Sequence, residues 1–162
     1  MLEVVEHPNV VLTTAAQEIT VFDGELRQLI DEMAAAMYQM GGVGLAAPQV
    51  NVSKRVLLID PTGGEEANQL VAMINPVVFW TSSSMEVGTE GCLSLPGVRL
   101  QVPRSVAVNI EYHDVMGNVH RMSCTDAWKS RIVQHEIDHL NGVMMLDRVG
   151  PLARKLAMKG KK

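Results

Sequence analysis

The chain has 162 residues, a hydrophobic fraction of 47%, aromatics at only 4% and a formal net charge of −4. That length suits a single domain, residues 1–162, with a core built from aliphatic side chains and the eleven Met. The balanced charge gives no ground for DNA binding, no apolar run reaches the length of a membrane span, and no basic region followed by a long apolar stretch marks a signal peptide.

Residues 24–40 place Leu26, Leu29, Ile30, Met33, Ala34, Met37 and Met40 at three- and four-residue steps, which predicts an amphipathic helix. Asp23 is its candidate N-cap and Gly41-Gly42 its stop. Strands are expected at 55–60 (RVLLID), at 70–75 up to Pro76, and at 77–81, with a turn at 82–84. Residues 105–112 alternate, with Val106, Val108, Ile110 and Tyr112 on one face. Gly117-Asn118 marks a turn into 119–124, completing a hairpin. Asp126 caps a predicted helix over 127–140, and Gly142 ends it. A last strand is expected at 143–146 and a short helix at 151–158. Strands outnumber helices, and their connections are too short for repeated parallel crossovers. The expected fold class is α+β, with mostly antiparallel sheet wrapped on the helix at 127–140 and an amphipathic helix near the N-terminus.

The late helix carries HEIDH, residues 135–139. At about 100° per residue, His139 lies only about 40° around the axis from His135, and Glu136 flanks the pair. Two imidazoles on one helix face beside a carboxylate suit a metal that activates water. A third protein ligand is then required. Downstream, Asp147 is the only carboxylate left and no His remains. Upstream, Cys92 lies in EGCLSLPG, where Ser-Leu-Pro-Gly suggests a tight turn that could aim a thiolate. Cys124 is its rival, with a buried structural thiol as the alternative role. Two cysteines make no disulfide framework and point to a reducing, cytoplasmic setting.

GVGLAAPQ at 42–49, EGCLS at 90–94 and HEIDH at 135–139 together resemble the three motifs of the peptide deformylase family, in that family's order and approximate spacing. HPNVVL near the N-terminus and LNGVMMLD after the helix extend the resemblance, to the bacterial-like type I form, over nearly the whole chain. The resemblance implies a metallohydrolase that removes the formyl group, as formate, from N-formylmethionyl nascent peptides. It implies Cys92, His135 and His139 as metal ligands and Glu136 as general acid/base. The implied native metal is Fe(II), while the donor set also suits Zn(II), Ni(II) or Co(II). Gln49 and the backbone N–H of Leu93 are the implied oxyanion donors. Val43, Gly44 and Gly91 are implied to pair with an extended peptide. Val43, Trp128, Ile132 and the carbon face of His135 are implied to line the methionine pocket, where Trp128 departs from the smaller aliphatic residue expected.

Arg99 follows the Ser-Leu-Pro-Gly turn and is a candidate for the substrate mouth or for a solvated side chain. Glu90, Asp138 and Arg104 are candidates to fix the ligands from behind, with Asp138 and Arg104 as a pair. His7, His113 and His120 lack ligand spacing and are expected at the surface. Arg154, Lys155, Lys159, Lys161 and Lys162 make a basic tail, suited to solvent or to docking on an acidic surface such as the ribosome. Two other functions fit parts of the pattern. A metalloprotease would use the histidine pair, and a non-catalytic relative would bind peptide N-termini; the latter should lack Glu136 or Gln49, and both are present.

Overall fold

A strand is apolar at every position where both of its faces are covered. In the computed structural model, which describes residues 1–159, that strand is β2 (Val56–Ile59), and every one of its residues is buried. Leu57 and Ile59 enter one core cluster, Val56 and Leu58 another. β2 lies second in a five-stranded sheet of order β1-β2-β3-β6-β7, with β1 Gly44–Ala46, β3 Val71–Thr81, β6 Val108–His113 and β7 Val119–Cys124. All its pairings are antiparallel. β4 (Met85–Cys92) and β5 (Leu95–Ser105) form a separate antiparallel pair. The chain is therefore α+β, as its sequence pattern predicts.

Helix α1 (Gly24–Gln39) starts where the Asp23 carboxylate accepts the Leu26 N–H at 3.1 Å. Its stripe of Leu26, Ile30, Met33 and Met37 packs on Leu45, Val56, Leu58 and Ile74. Helix α2 (Ala127–Leu140) is capped by Asp126, which accepts the Lys129 N–H at 2.8 Å. It covers the opposite face of the sheet with Ile132, Val133, Ile137 and Leu140. Each such aliphatic side chain contributes about 1.5–3 kcal/mol by leaving water. A third cluster joins Leu95, Val98, Leu100 and Val102 of β5 to Leu12 and to Met144, Met145 and Leu146. Ten of the fourteen residues of α2 are buried, among them His135, Glu136, Asp138 and His139. A helix buried that far must pair its polar groups internally, and that requirement shapes the site.

Four local expectations are corrected. Pro76 does not stop a strand: β3 runs through it, because the register with β6 shifts between Ile74 and Val77 and no ladder N–H is required there. Residues 143–146 form no strand. Asp147 accepts the Met144 N–H at 2.9 Å and starts a 3₁₀ turn over Met145–Arg148, so the apolar run is buried without a ladder. Residues 105–112 are not one strand: β5 ends at Ser105, and β6 begins at Val108. The turn near Cys92 is Leu93–Ser94 rather than Ser-Leu-Pro-Gly, since Cys92 already pairs with Leu95. The final helix, α3 (Pro151–Met158), forms as expected, while Lys161 and Lys162 of the basic tail lie outside the described residues.

Candidate metal centre

The β4–β5 hairpin and α2 bring three ligand atoms together from two distant parts of the chain. Between the pairs Glu90–Leu100 and Cys92–Leu95 the hairpin register shifts, so residues 96–99 stand opposite Gly91 alone. Such a bulge re-aims a strand's side chains. Cys92 Sγ lies 3.3 Å from His139 Nε2, and His139 Nε2 lies 3.3 Å from His135 Nε2. All three ligand atoms fall within 4.8 Å of one another, and no other such trio of His, Cys, Asp or Glu occurs among the described residues. Two nitrogens held tetrahedrally about 2.0–2.1 Å from one ion sit about 3.3 Å apart, so the observed spacing fits a single tetrahedral cation. A thiolate and two imidazoles also form the donor set of a catalytic site that keeps one position open.

The groups behind the ligands are satisfied in turn. Glu90 Oε1 accepts His135 Nδ1–H at 2.8 Å, which aims Nε2 at the cluster. Arg104 donates from Nε and Nη2 to Glu90 at 2.8 and 2.9 Å, and from Nη1 to Asp138 at 2.6 Å. The expected Asp138–Arg104 pair thus forms, and both residues are buried. Burial works to raise the Glu90 carboxyl, but Arg104 and His135 draw it down to about 2. Burial opposes charge on His135, yet Cys92 and Glu90 outweigh it and raise its pKa. Burial and the neighbouring His135 push His139 the other way, toward the neutral imidazole that binds metal.

Glu136 reaches the same cleft from α2. Its carboxylate stands against Gly44, where an added Cβ would lie 2.5 Å from Oε1. Its Oε2 is buried and has no hydrogen-bond partner among the described residues, leaving an acceptor ready for a donor in the cleft. Burial raises this carboxyl to about 7, against the opposing pull of His135.

The cleft has a volume of about 480 Å³. Val43, Gly44, Gln49, Gly91, Cys92, Leu93, Arg99, Trp128, Ile132, His135 and Glu136 all line it, while His139 lies behind His135, with their Nε2 atoms 3.3 Å apart. Gln49 is buried; its Oε1 accepts the Ala46 N–H at 3.0 Å, and its Nε2 donates to Ser94 Oγ at 3.2 Å and lies 3.6 Å from Cys92 Sγ. Trp128 is half-exposed at the rim and donates its indole N–H to Pro61 O at 3.1 Å. Arg99 is exposed, with its guanidinium over Gly91. Cys124 lies away from the cluster, buried in the core at the end of β7. His120 is exposed as expected, but His7 and His113 are half-buried, each with an enclosed Nδ1.

Sequence reasoning missed Arg131. It is buried on α2, one turn before His135, and donates to Glu90 Oε2 at 2.7 Å, to Val102 O at 2.7 Å and to Glu86 O at 2.7 Å. The signal was present, since positions 131 and 135 share a helix face. Ser94 was missed too, and so was Arg148, which donates from Nε and Nη2 to Asp138 at 2.9 and 2.6 Å.

Comparison with known proteins agrees with this geometry. A family model described as polypeptide deformylase matches residues 1–155. The peptide deformylase of Thermodesulfovibrio yellowstonii is 39% identical over 160 residues, covering 98% of this chain and 95% of its own. That of Thermotoga neapolitana is 40% identical over 149 residues, 92% of this chain and 87% of its own. A solved structure of a peptide deformylase from Synechococcus elongatus in complex with actinonin matches with a TM-score of 0.94 at 39% identity, over 99% of this chain and 87% of the other. One from Legionella pneumophila matches with a TM-score of 0.92 at 33% identity, over 98% and 92%.

Proposed function

This chain belongs to the polypeptide deformylase family, and we propose that residues 1–162 act as one catalytic domain that hydrolyses the N-formyl group of formylmethionyl nascent peptides. The observation that carries the reading is the meeting of Cys92 Sγ and two histidine Nε2 atoms beside a buried Glu136 oxygen that has no hydrogen-bond partner among the described residues. Cys92, His135 and His139 would hold one divalent ion, Fe(II) natively, with Zn(II), Ni(II) or Co(II) as substitutes. Such an ion, when bound, lowers the pKa of water and polarises the formyl oxygen.

Glu136 takes the proton from the attacking water and returns it to the leaving amine. A carboxyl poised near 7 can do both at neutral pH. Gln49 Nε2 and the Leu93 N–H face the developing oxyanion as fixed dipoles, which need no reorganisation during reaction. Among the described residues β1 and β4 are each paired on one side only, and both border the cleft. An extended peptide adds between them through the backbones of Val43, Gly44 and Gly91, which leaves the sequence after the first residue largely unread. The methionine side chain enters between Val43, Ile132, Trp128 and the carbon face of His135. Arg99, beside Gly91, meets the downstream peptide.

The enzyme works in the cytoplasm. α3 leaves Leu152 and Leu156 exposed beside Arg154 and Lys155, and this basic, apolar strip docks on the ribosome. Loss of co-sedimentation with ribosomes on replacing Leu152 and Lys155 tests that part. The activity is tested with formyl-Met-Ala-Ser. Formate release supports it; internal cleavage would point to a protease, and binding without turnover to a non-catalytic relative.

A further inference from the structure

Arg104 is shared between two buried carboxylates. Its Nε and Nη2 form a bidentate pair with Glu90, the residue that holds His135 Nδ1, and its Nη1 reaches Asp138. Asp138 is 6% exposed and Glu90 5%, so neither can turn to water for a partner. Asp138 has one further partner, Arg148, which grips both of its oxygens; Oδ1 has no other donor among the described residues. Arg131 supplies a second cation to Glu90. Each carboxylate therefore owns one guanidinium and shares Arg104. Remove Arg148, and Asp138 keeps a bare oxygen and a single cation, the one that orients Glu90.

We infer that Arg148 is a positioning residue for the metal centre: by satisfying Asp138 it leaves Arg104 free to hold Glu90, and through Glu90 it fixes the ring of His135. The relay runs Arg148, Asp138, Arg104, Glu90, His135, with each link between 2.6 and 2.9 Å. Arg148 ends the 3₁₀ turn that leads into α3, so the relay also ties the C-terminal segment to a ligand more than ten residues back in sequence. None of Arg148, Asp138 and Arg104 lines the cleft, so the relay acts on metal retention and turnover, not on substrate binding. The inference rests on the metal-centre reading proposed above.

The test uses the full chain loaded with Co(II), whose thiolate absorption reports the intact centre. The decay of that absorption in excess EDTA is followed alongside KM, kcat and the melting temperature. Arg148→Met should release metal faster by up to about tenfold, below the roughly 10–100-fold lost when a group bonded directly to a ligand is removed, because Glu90 and not Arg148 bonds His135. It should lower kcat and leave KM unchanged. Arg148→Lys keeps the charge without the fork and should fall between the two. In an Asp138→Asn background, Arg148→Met should add nothing further. Arg121→Met, which removes an exposed ion pair with Glu111, is the control and should release metal at the wild-type rate. A lowered melting temperature with wild-type metal release in Arg148→Met would overturn the inference, as would equal effects of Arg148→Met with and without Asp138. Absence of the thiolate signature in the wild-type chain would instead overturn the metal reading and this inference with it.

Discussion

Gly44→Ala is the smallest change that reaches the proposed acid/base. A Cβ at Gly44 would stand 2.5 Å from Glu136 Oε1 and 2.9 Å from its Cγ and Cδ. Ordinary contact distances are about 3.5–4.0 Å, so the carboxylate must retreat by about 1 Å. Glu136 sits on a packed helix and is 4% exposed, so the retreat open to it is a swing within the cleft it lines, away from its present position. Misplacing a reacting group by that distance costs on the order of 10²-fold in rate. Overpacking costs about 1–3 kcal/mol of stability, enough to lower the melting temperature by several degrees in a chain of this size. The assay is formate release from formyl-Met-Ala-Ser, with metal content and melting temperature measured on the same sample. Gly24→Ala, where an added Cβ meets nothing within 4 Å, serves as the control. The expected result is metal retained, folding retained and kcat reduced about 10²-fold. Wild-type kcat in folded, metal-loaded Gly44→Ala would refute the assignment of Glu136 to the reaction.

Glu136→Gln preserves shape and should keep bound metal while losing nearly all turnover; an active variant would remove the acid/base role. Trp128→Leu opens the cleft rim and releases Pro61 O, and should narrow the preference for formyl-Met over formyl-Phe by up to about tenfold. An unchanged ratio would take Trp128 out of the pocket wall. Glu90 contributes to stability with a definite sign. Its folded pKa of about 2 lies below the ordinary 4.5, so its contribution is present above pH 4.5 and is lost as pH falls toward 2. The contribution is at most roughly 3 kcal/mol. Glu90→Gln should therefore flatten the fall in melting temperature across that range, and an unaltered slope would contradict the role given to it.

The parts of the fold that announced themselves have a local period or a local cap. Helix α2 followed from Asp126 as its cap and Gly142 as its stop, and the β6–β7 hairpin from Gly117-Asn118. The β4–β5 hairpin was masked. Val98, Leu100, Val102 and Arg104 alternate inward in β5, but Pro96, Gly97 and Pro103 interrupt the run; all three face out, and β5 pairs only with β4 among the described residues, an edge position where proline is tolerated. Pro76 misled for a different reason: it is buried, and the register shift between Ile74 and Val77 excused its missing donor. In the candidate site, the histidine pair and Glu136 were legible because a helix fixes their angles, whereas Cys92 needed the family motif to choose it over Cys124. The ionic frame behind the ligands was legible only in part. Arg131 shares the face of His135, but Arg148 meets Asp138 through a chain reversal at Gly142 (φ +71°) that no periodicity records.

X-ray absorption at the metal edge of anaerobically purified, loaded protein tests the centre most directly. One sulfur and two imidazole nitrogens around a single ion are expected, with the sulfur lost in Cys92→Ala and kept in Cys124→Ala. A spectrum without sulfur, or one whose sulfur disappears with Cys124 instead, would contradict it.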